Sequence, residues 1–185
     1  MAEKDGGVLR GLLARLSGRE ESTGASLLKT SSRIYADRPV QPNDTMRTGF
    51  DPKGARLFRA LVEAGFLVAN ADDHFDAEER VAFARVVAEA CDEAVSSTML
   101  DELMADLALE LASSSVEDRV DVIVAAASNT EEQLAIFKVA AVMAYSSSGL
   151  SRSERIVLNH LAEGFGLDRN TSTAILDKVA DQTDS

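Results

Sequence analysis

The densest group of chemically active side chains in this sequence lies between residues 72 and 79. All but one of its members are acidic: Asp72, Asp73, His74, Asp76, Glu78 and Glu79. Carboxylate oxygens are the ligands that Ca²⁺ and Mg²⁺ prefer in proteins. One interpretation is a divalent-cation site formed by Asp72, Asp76 and Glu79, with Asp73, His74 and Glu78 as further ligands.

The same residues also fit the start of a helix. Asp76 followed three residues later by Glu79 forms a capping box, in which each side chain bonds the other residue's backbone N–H. Glu78 would then complement the helix dipole. The loop is not an EF-hand, because Ala77 stands at the glycine position and Phe83 at the position of the bidentate glutamate. We favour capping and keep the cation site as the alternative.

Catalytic groups outside this turn are sparse. His160 lies beside the apolar Leu161, and Cys91 lies among small apolar residues, which is typical of partly or fully buried positions. The sequence has no phosphate-binding loop, no His-Glu-x-x-His motif and no catalytic-triad order. We therefore expect no enzymatic activity and no organic cofactor. Ca²⁺ or Mg²⁺ is the ligand that the cation-site alternative implies.

Helices must position these residues. From Asp51 onward, apolar residues recur at helical spacing and capping residues mark regular starts. The predicted starts are Asp51, Asp76, Ser96 or Ser97, Ser115, Thr130 with Gln133, Ser151, and Asp168 or Asn170. The sequence thus predicts an all-α fold, a compact bundle of seven helices. Residues 134–145 carry one charge, Lys138, and should form the central helix.

The bundle contains an internal match between residues whose numbers differ by 75. The matched pairs are Ala69 with Ala144, Phe75 with Leu150, Asp76 with Ser151, Glu79 with Glu154, Arg80 with Arg155, Phe83 with Leu158 and Val86 with Leu161. Each half reads as an apolar helix, a polar turn, one apolar anchor, a capping box and an amphipathic helix. This order predicts that residues 51–94 and 130–166 form two related helical hairpins.

At these two turns the sequence resembles the TerB-like family of tellurite-resistance proteins, which includes the N-terminal module of DjlA-type co-chaperones. The family's turn reads Ala-Asp-Gly, a variable residue, an apolar anchor, a small cap, two further positions and then Glu. The first turn here runs from Ala71 to Glu79 and has Asp73 in place of the glycine. The second runs from residue 146 to Glu154 and has Ser147 in place of the aspartate.

The resemblance covers about residues 51–182 and implies a compact helical bundle of the bacterial stress response. In that family, acidic residues of the two turns are proposed to bind a divalent cation. By position, Asp72 and Glu79 match that role, and Glu154 does so in the second turn. Ser147 supplies no carboxylate, which weakens a site shared by both turns.

Charge is distributed unevenly along the chain. Residues 1–50 hold eight Lys/Arg and six Asp/Glu, so 11 basic and 25 acidic residues lie in 51–185. An acidic body repels phosphate backbones, so we expect no nucleic-acid binding. No apolar run approaches the length of a membrane span. With one cysteine and no signal-peptide core, the sequence is typical of a cytoplasmic protein.

The sequence divides into an N-terminal region, residues 1–50, and a helical domain, residues 51–185. Residues 8–16, within a predicted helix at about 7–17, place five apolar side chains on one face beside Arg10 and Arg15. Residues 19–50 are rich in Ser and Thr, contain Pro39 and Pro42, and predict a flexible linker. The short helix fits a docking element for a protein partner, or a peripheral contact with a membrane or assembly surface.

Together these features favour a non-enzymatic TerB-like binding or scaffold module of a stress-response or compartment-associated assembly. Its partner would bind through residues 8–16 or the acidic helical body. The alternative is a Ca²⁺ or Mg²⁺ sensor that uses the acidic turn at residues 72–79.

Overall fold

The computed structural model describes residues 23–39, 50–72, 75–145 and 150–183. Within these ranges it contains eight helices and no strand. They are α1 (Thr23–Ala36), α2 (Pro52–Ala69), α3 (Ala77–Ala90), α4 (Ser97–Ser113), α5 (Val116–Ala126), α6 (Thr130–Tyr145), α7 (Arg152–Gly164) and α8 (Arg169–Thr183). The predicted all-α class is confirmed. Seven of these helices, α2 to α8, lie within the predicted helical domain, and α1 lies before its expected start.

The structure corrects part of the linker predicted over residues 19–50, because residues 23–36 of that range form α1. This helix packs against α2 and α6 and buries Leu28 and Tyr35. Its buried Ser31 and Ser32 hydroxyls donate to the backbone carbonyls of Leu27 and Lys29, at 2.6 Å and 2.8 Å. The hydrogen bonds of both hydroxyls are made within the helix, so serines can lie on its buried face. A composition typical of a linker is therefore compatible with a packed helix. The predicted helix at about 7–17 and residues 40–49 lie outside the described residues.

The centre of the molecule is formed by α2 and α6, which pack extensively on each other. Both helices are buried along most of their length, and Phe58 and Phe137 are almost fully enclosed. The expectation that residues 134–145 form the central helix is therefore confirmed. α5 packs on α2, α7 contacts α2, α5 and α6, and α8 packs on α6.

α2 and α6 run parallel. Near their starts, the Lys53 Nζ lies 3.7 Å from the Glu132 Oε1. Near their ends, Gly65 lies so close to Met143 that a Cβ at Gly65 would be 3.0 Å from the Met143 Cγ. Both helices therefore end at the same end of the bundle, and the two turns singled out in the sequence follow there.

Among the described residues, no helix is both long enough and apolar enough to cross a bilayer.

Candidate functional site

The first predicted turn is organised as a helix cap. The Glu79 backbone N–H donates to the Asp76 Oδ1 at 2.9 Å, and the Asp76 backbone N–H donates to the Glu79 Oε2 at 3.2 Å. This is the reciprocal pattern of a capping box. Asp72 lies exposed just after α2. Asp73, His74 and the side chain of Glu78 lie outside the described residues.

The second turn also ends in a capping box. The Glu154 backbone N–H donates to the Ser151 Oγ at 3.1 Å, and the Ser151 backbone N–H donates to the Glu154 Oε2 at 2.7 Å. The predicted equivalence of Asp76 with Ser151 and of Glu79 with Glu154 thus extends to their hydrogen bonds. The superposition of the two whole hairpins stays a prediction.

An aromatic cluster fixes the first turn to the core. Phe75, the apolar anchor of the turn, meets Phe66 of α2 and Phe83 of α3 edge to face, with ring centroids 5.6 Å and 6.0 Å apart. Edge-to-face pairs of this kind add to the energy of burial. The anchor therefore sets where the Asp76 cap sits relative to α2.

Of the candidate ligands, Asp72, Asp76, Glu79 and Glu154 are described; Asp76, Glu79 and Glu154 bond backbone N–H groups of the two caps. Among the described residues, no three His, Cys, Asp or Glu side chains are close enough to hold one metal ion. The assignment of Asp72, Asp76 and Glu79 to a cation remains a prediction, as does that of Asp73, His74, Glu78 and Glu154.

A charged network that the sequence analysis missed lies between α2, α4 and α5. Glu63 of α2 is 2% exposed, and the Arg119 Nε donates to its Oε1 at 2.6 Å. The Arg119 Nη2 also lies 2.6 Å from the Glu110 Oε2, while the Arg59 Nη2 lies 2.7 Å from the Glu110 Oε1. Two carboxylates and two guanidiniums therefore alternate across three helices.

Burial dominates the electrostatics of Glu63. Loss of hydration raises the pKa of this carboxyl, while the hydrogen bond and charge of Arg119 act in the opposite direction. A guanidinium does not lose its proton in proteins, so Arg119 accepts no proton from Glu63. This pair is suited to holding α5 on α2 rather than to acid–base catalysis.

The sequence does contain a signal for this network. Glu63 is the one charged residue between Arg59 and Asn70, in a stretch that is otherwise apolar or glycine. A charge on a helix that is hydrophobic all round must be buried with a partner. The sequence could not name Arg119, because that partner is 56 residues away.

A cleft of about 170 Å³ lies where α1 crosses the starts of α2 and α6. It is lined by Leu27, Thr30, Ser31, Ile34, Asp51, Lys53, Gly54, Leu57 and Glu132. Asp51 caps α2 by accepting from the Lys53 backbone N–H at 2.9 Å. Glu132 accepts from the Ser128 backbone N–H at 2.6 Å and from the Asn129 Nδ2 at 3.1 Å. The carboxylates of the cleft therefore serve the helix starts.

These bonds also correct the predicted start of α6. Thr130 and Gln133 were expected to cap it, but Asn129 and Glu132 do so one residue earlier. The Glu132 backbone N–H donates to the Asn129 Oδ1 at 2.9 Å.

The two remaining reactive side chains occupy the predicted settings. Cys91 is fully buried, and burial raises the pKa of its thiol to about 12. His160 is half-buried, with its Nδ1 3.6 Å from the Glu117 Oε1. A thiol with so high a pKa is protonated at neutral pH and is a poor nucleophile.

The chain matches no protein-family model, no curated protein and no solved structure with which it was compared. The TerB-like resemblance stays a hypothesis, and it rests on the residues of the two turns.

Proposed function

We propose that this chain is a non-enzymatic binding or scaffold module of TerB-like type, acting in a bacterial stress-response or compartment-associated assembly. The observation that carries the proposal is the capping of both turns. The carboxylates of Asp76, Glu79 and Glu154 bond backbone N–H groups, and Glu63 is bonded by Arg119. These four carboxylates are the groups that catalysis or metal binding would use, and here they hold helices in place.

The partner of such a module would be basic. The helical body carries most of the acidic residues of the chain, and surface charge of one sign speeds the encounter with a partner of the other sign. Residues 8–16, which carry Arg10 and Arg15, supply a second element for attachment.

A pull-down from a lysate of the source cells tests this function. It compares the proteins that tagged variants of the full chain retain. Leu12→Asp with Leu13→Asp disrupts the apolar face of residues 8–16. Gly11→Asp with Ala14→Asp adds the same charge on the opposite face and serves as the matched control. A partner bound through this segment should be retained about tenfold less by the first variant alone. Retention of the same proteins by both variants would contradict a docking role for the segment.

The stress-response part of the proposal is tested in cells. A strain lacking the chain should lose tolerance to tellurite, and the control variant should restore it. Unchanged tolerance in the deleted strain would contradict this assignment.

The second candidate function is a Ca²⁺ or Mg²⁺ sensor. The parallel course of α2 and α6 supports it, because the two helices end at the same end of the bundle, where Asp76 and Glu79 follow α2 and Glu154 follows α6. Binding of an ion by the native state alone would raise stability by about 2.7 kcal/mol at 100 times the dissociation constant. Chelator-dependent melting therefore separates the two candidates.

A further inference from the structure

The cleft between α1 and the starts of α2 and α6 contains a carboxylate oxygen that the helix caps do not use. Asp51 caps α2 with its Oδ1, which accepts from the Lys53 backbone N–H. Its Oδ2 forms no hydrogen bond or ion pair with any residue that the structure describes. This oxygen lies 2.9 Å from the position that a Cβ on Gly54 would take. It therefore borders the space that the absent side chain of Gly54 leaves in the cleft.

The charged groups of the cleft favour a cation. Glu132 is almost fully buried, and its oxygens accept from the Ser128 backbone N–H and the Asn129 Nδ2. The Lys53 Nζ lies 3.7 Å from the Glu132 Oε1, so its ammonium balances the charge of this buried carboxylate. Asp51 is then the uncompensated charge of the cleft. An anion placed there would meet two carboxylates, whereas a cation at the Asp51 Oδ2 would form an ion pair.

The walls of the cleft are apolar. Leu27 and Ile34 of α1 are seven residues apart, so they lie on one face of that helix. Leu57 of α2 adds a third apolar side chain. A metal ion needs several oxygen ligands, whereas this cleft combines one unused carboxylate oxygen with three apolar side chains. An organic cation fits both features.

The size of the cleft limits the ligand. Its volume is about 170 Å³, close to the roughly 150 Å³ of a protein cavity that holds one benzene molecule. A ligand of about six to eight non-hydrogen atoms therefore fits. An unbranched primary amine of this size has an ammonium group at one end and apolar carbons along the rest.

We propose that this cleft binds a small primary alkylamine in its ammonium form. The ammonium would donate to the Asp51 Oδ2, and the alkyl chain would pack on Leu27, Ile34 and Leu57. The cleft lies at the starts of α2 and α6, whereas the two acidic turns follow the ends of these helices. The site is therefore distinct from the candidate cation site. It depends on neither the scaffold function nor the TerB-like resemblance.

An NMR titration of the full chain with n-hexylamine tests the proposal. Changes in the backbone amide signals should concentrate at Thr30, Ile34, Gly54 and Leu57, with a dissociation constant of about 1 mM. Ethylamine carries the same charge on a shorter chain and should bind at least about tenfold more weakly. Equal affinity for the two amines would show a general attraction to the acidic surface and overturn the proposal. The absence of changes around the cleft would also overturn it.

Two matched variants test the role of Asp51. Asp51→Asn removes the charge and keeps the cap, because asparagine caps a helix about as well as aspartate. It should weaken the binding of n-hexylamine about fivefold. The control is Asp168→Asn, because Asp168 is also exposed and caps α8 by accepting from the Thr171 backbone N–H at 3.0 Å. The control should leave the affinity unchanged, and equal weakening by both variants would overturn the assignment to Asp51.

A last titration separates a free amine from a lysine side chain of a protein, which carries the same ammonium group. Nα-acetyl-lysine methylamide presents its ammonium on four methylenes attached to a peptide backbone. It should bind about tenfold more weakly than n-hexylamine, because it places two carbons fewer against the apolar walls. Binding as tight as that of n-hexylamine would overturn the choice of a free amine and assign the cleft to a lysine side chain.

Discussion

Arg119 of α5 donates its Nε to the Glu63 Oε1 of α2, a carboxylate that is almost fully buried. The same guanidinium reaches Glu110 of α4. One side chain of α5 therefore joins α4, its neighbour in the sequence, to α2, which lies far away in the sequence. A buried ion pair adds little to stability when compared with apolar residues, but the loss of one partner is costly.

Removing Arg119 should destabilise the fold strongly. Arg119→Met leaves the Glu63 carboxylate buried without its guanidinium and should cost about 3–5 kcal/mol. The double variant Glu63→Leu with Arg119→Met should recover most of that loss, because no charge is then left buried. Denaturant unfolding of both variants gives the two values. A single variant as stable as the wild type would show that Glu63 is not held by Arg119.

The pH dependence of stability should carry the signature of Glu63. Burial raises the pKa of this carboxyl above its ordinary value of 4.5, so the native state holds the proton more tightly than the unfolded chain. The resulting stabilisation is fully present below pH 4.5 and is lost as the pH rises through the native pKa. The free energy of unfolding of the wild type minus that of Glu63→Gln should therefore fall over this range.

Asp118 should give the opposite slope. Hydrogen bonds from the Ser115 side chain and backbone N–H lower the pKa of its carboxyl. Its contribution is present above the ordinary pKa of 3.8 and is lost as the pH falls through the native value. The free energy of unfolding of the wild type minus that of Asp118→Asn should therefore fall as the pH is lowered through the native pKa. If both differences changed in the same direction with pH, this account of the two groups would be contradicted.

The packing of α1 can be tested at one glycine. A Cβ on Gly54 would lie 2.5 Å from the Ile34 Cδ1 of α1. Gly54→Ala should therefore cost about 1–3 kcal/mol. Adding Ile34→Val removes the Cδ1 methyl and should return part of the loss. A loss that Ile34→Val leaves unchanged would show that the Ile34 Cδ1 is not what the new methyl group meets.

The central position of α6 predicts a large effect at Phe137, which is 1% exposed. Phe137→Ala should cost about 3–5 kcal/mol as a large-to-small change in a packed core. Val122→Ala on α5, where the side chain is 47% exposed, should stay within about 0.5 kcal/mol. Comparable losses from the two changes in a denaturant titration would argue against a central α6.

The features that depend on neighbouring residues, such as helix caps and the spacing of apolar side chains, could be predicted from the sequence. The capping boxes at Asp76 and Ser151 and the helix start at Ser115 were predicted from residue type and spacing, and the structure contains all three. The central helix followed from its lack of a polar face. Such features depend on residues within one or two turns of each other, which the sequence presents side by side.

Features set by distant contacts were harder to predict. α1 has a serine-rich sequence, and it is held in the fold by its packing on α2 and α6, which its own sequence does not reveal. Arg119 and Glu63 are far apart in the chain, and only the packing of α5 on α2 brings them together. The parallel course of α2 and α6, which brings the two turns to one end, also follows from tertiary packing rather than local pattern.

The acidic turn caps α3, and we propose that it holds no ion. Melting temperatures of the wild type, Asp72→Asn and Asp76→Ser in chelator and in millimolar Ca²⁺ test it most directly. Because serine caps a helix about as well as aspartate, all three proteins should melt at similar temperatures, with or without calcium. A calcium-dependent rise in the wild type that both variants lose would contradict the claim and identify the turn as a cation site.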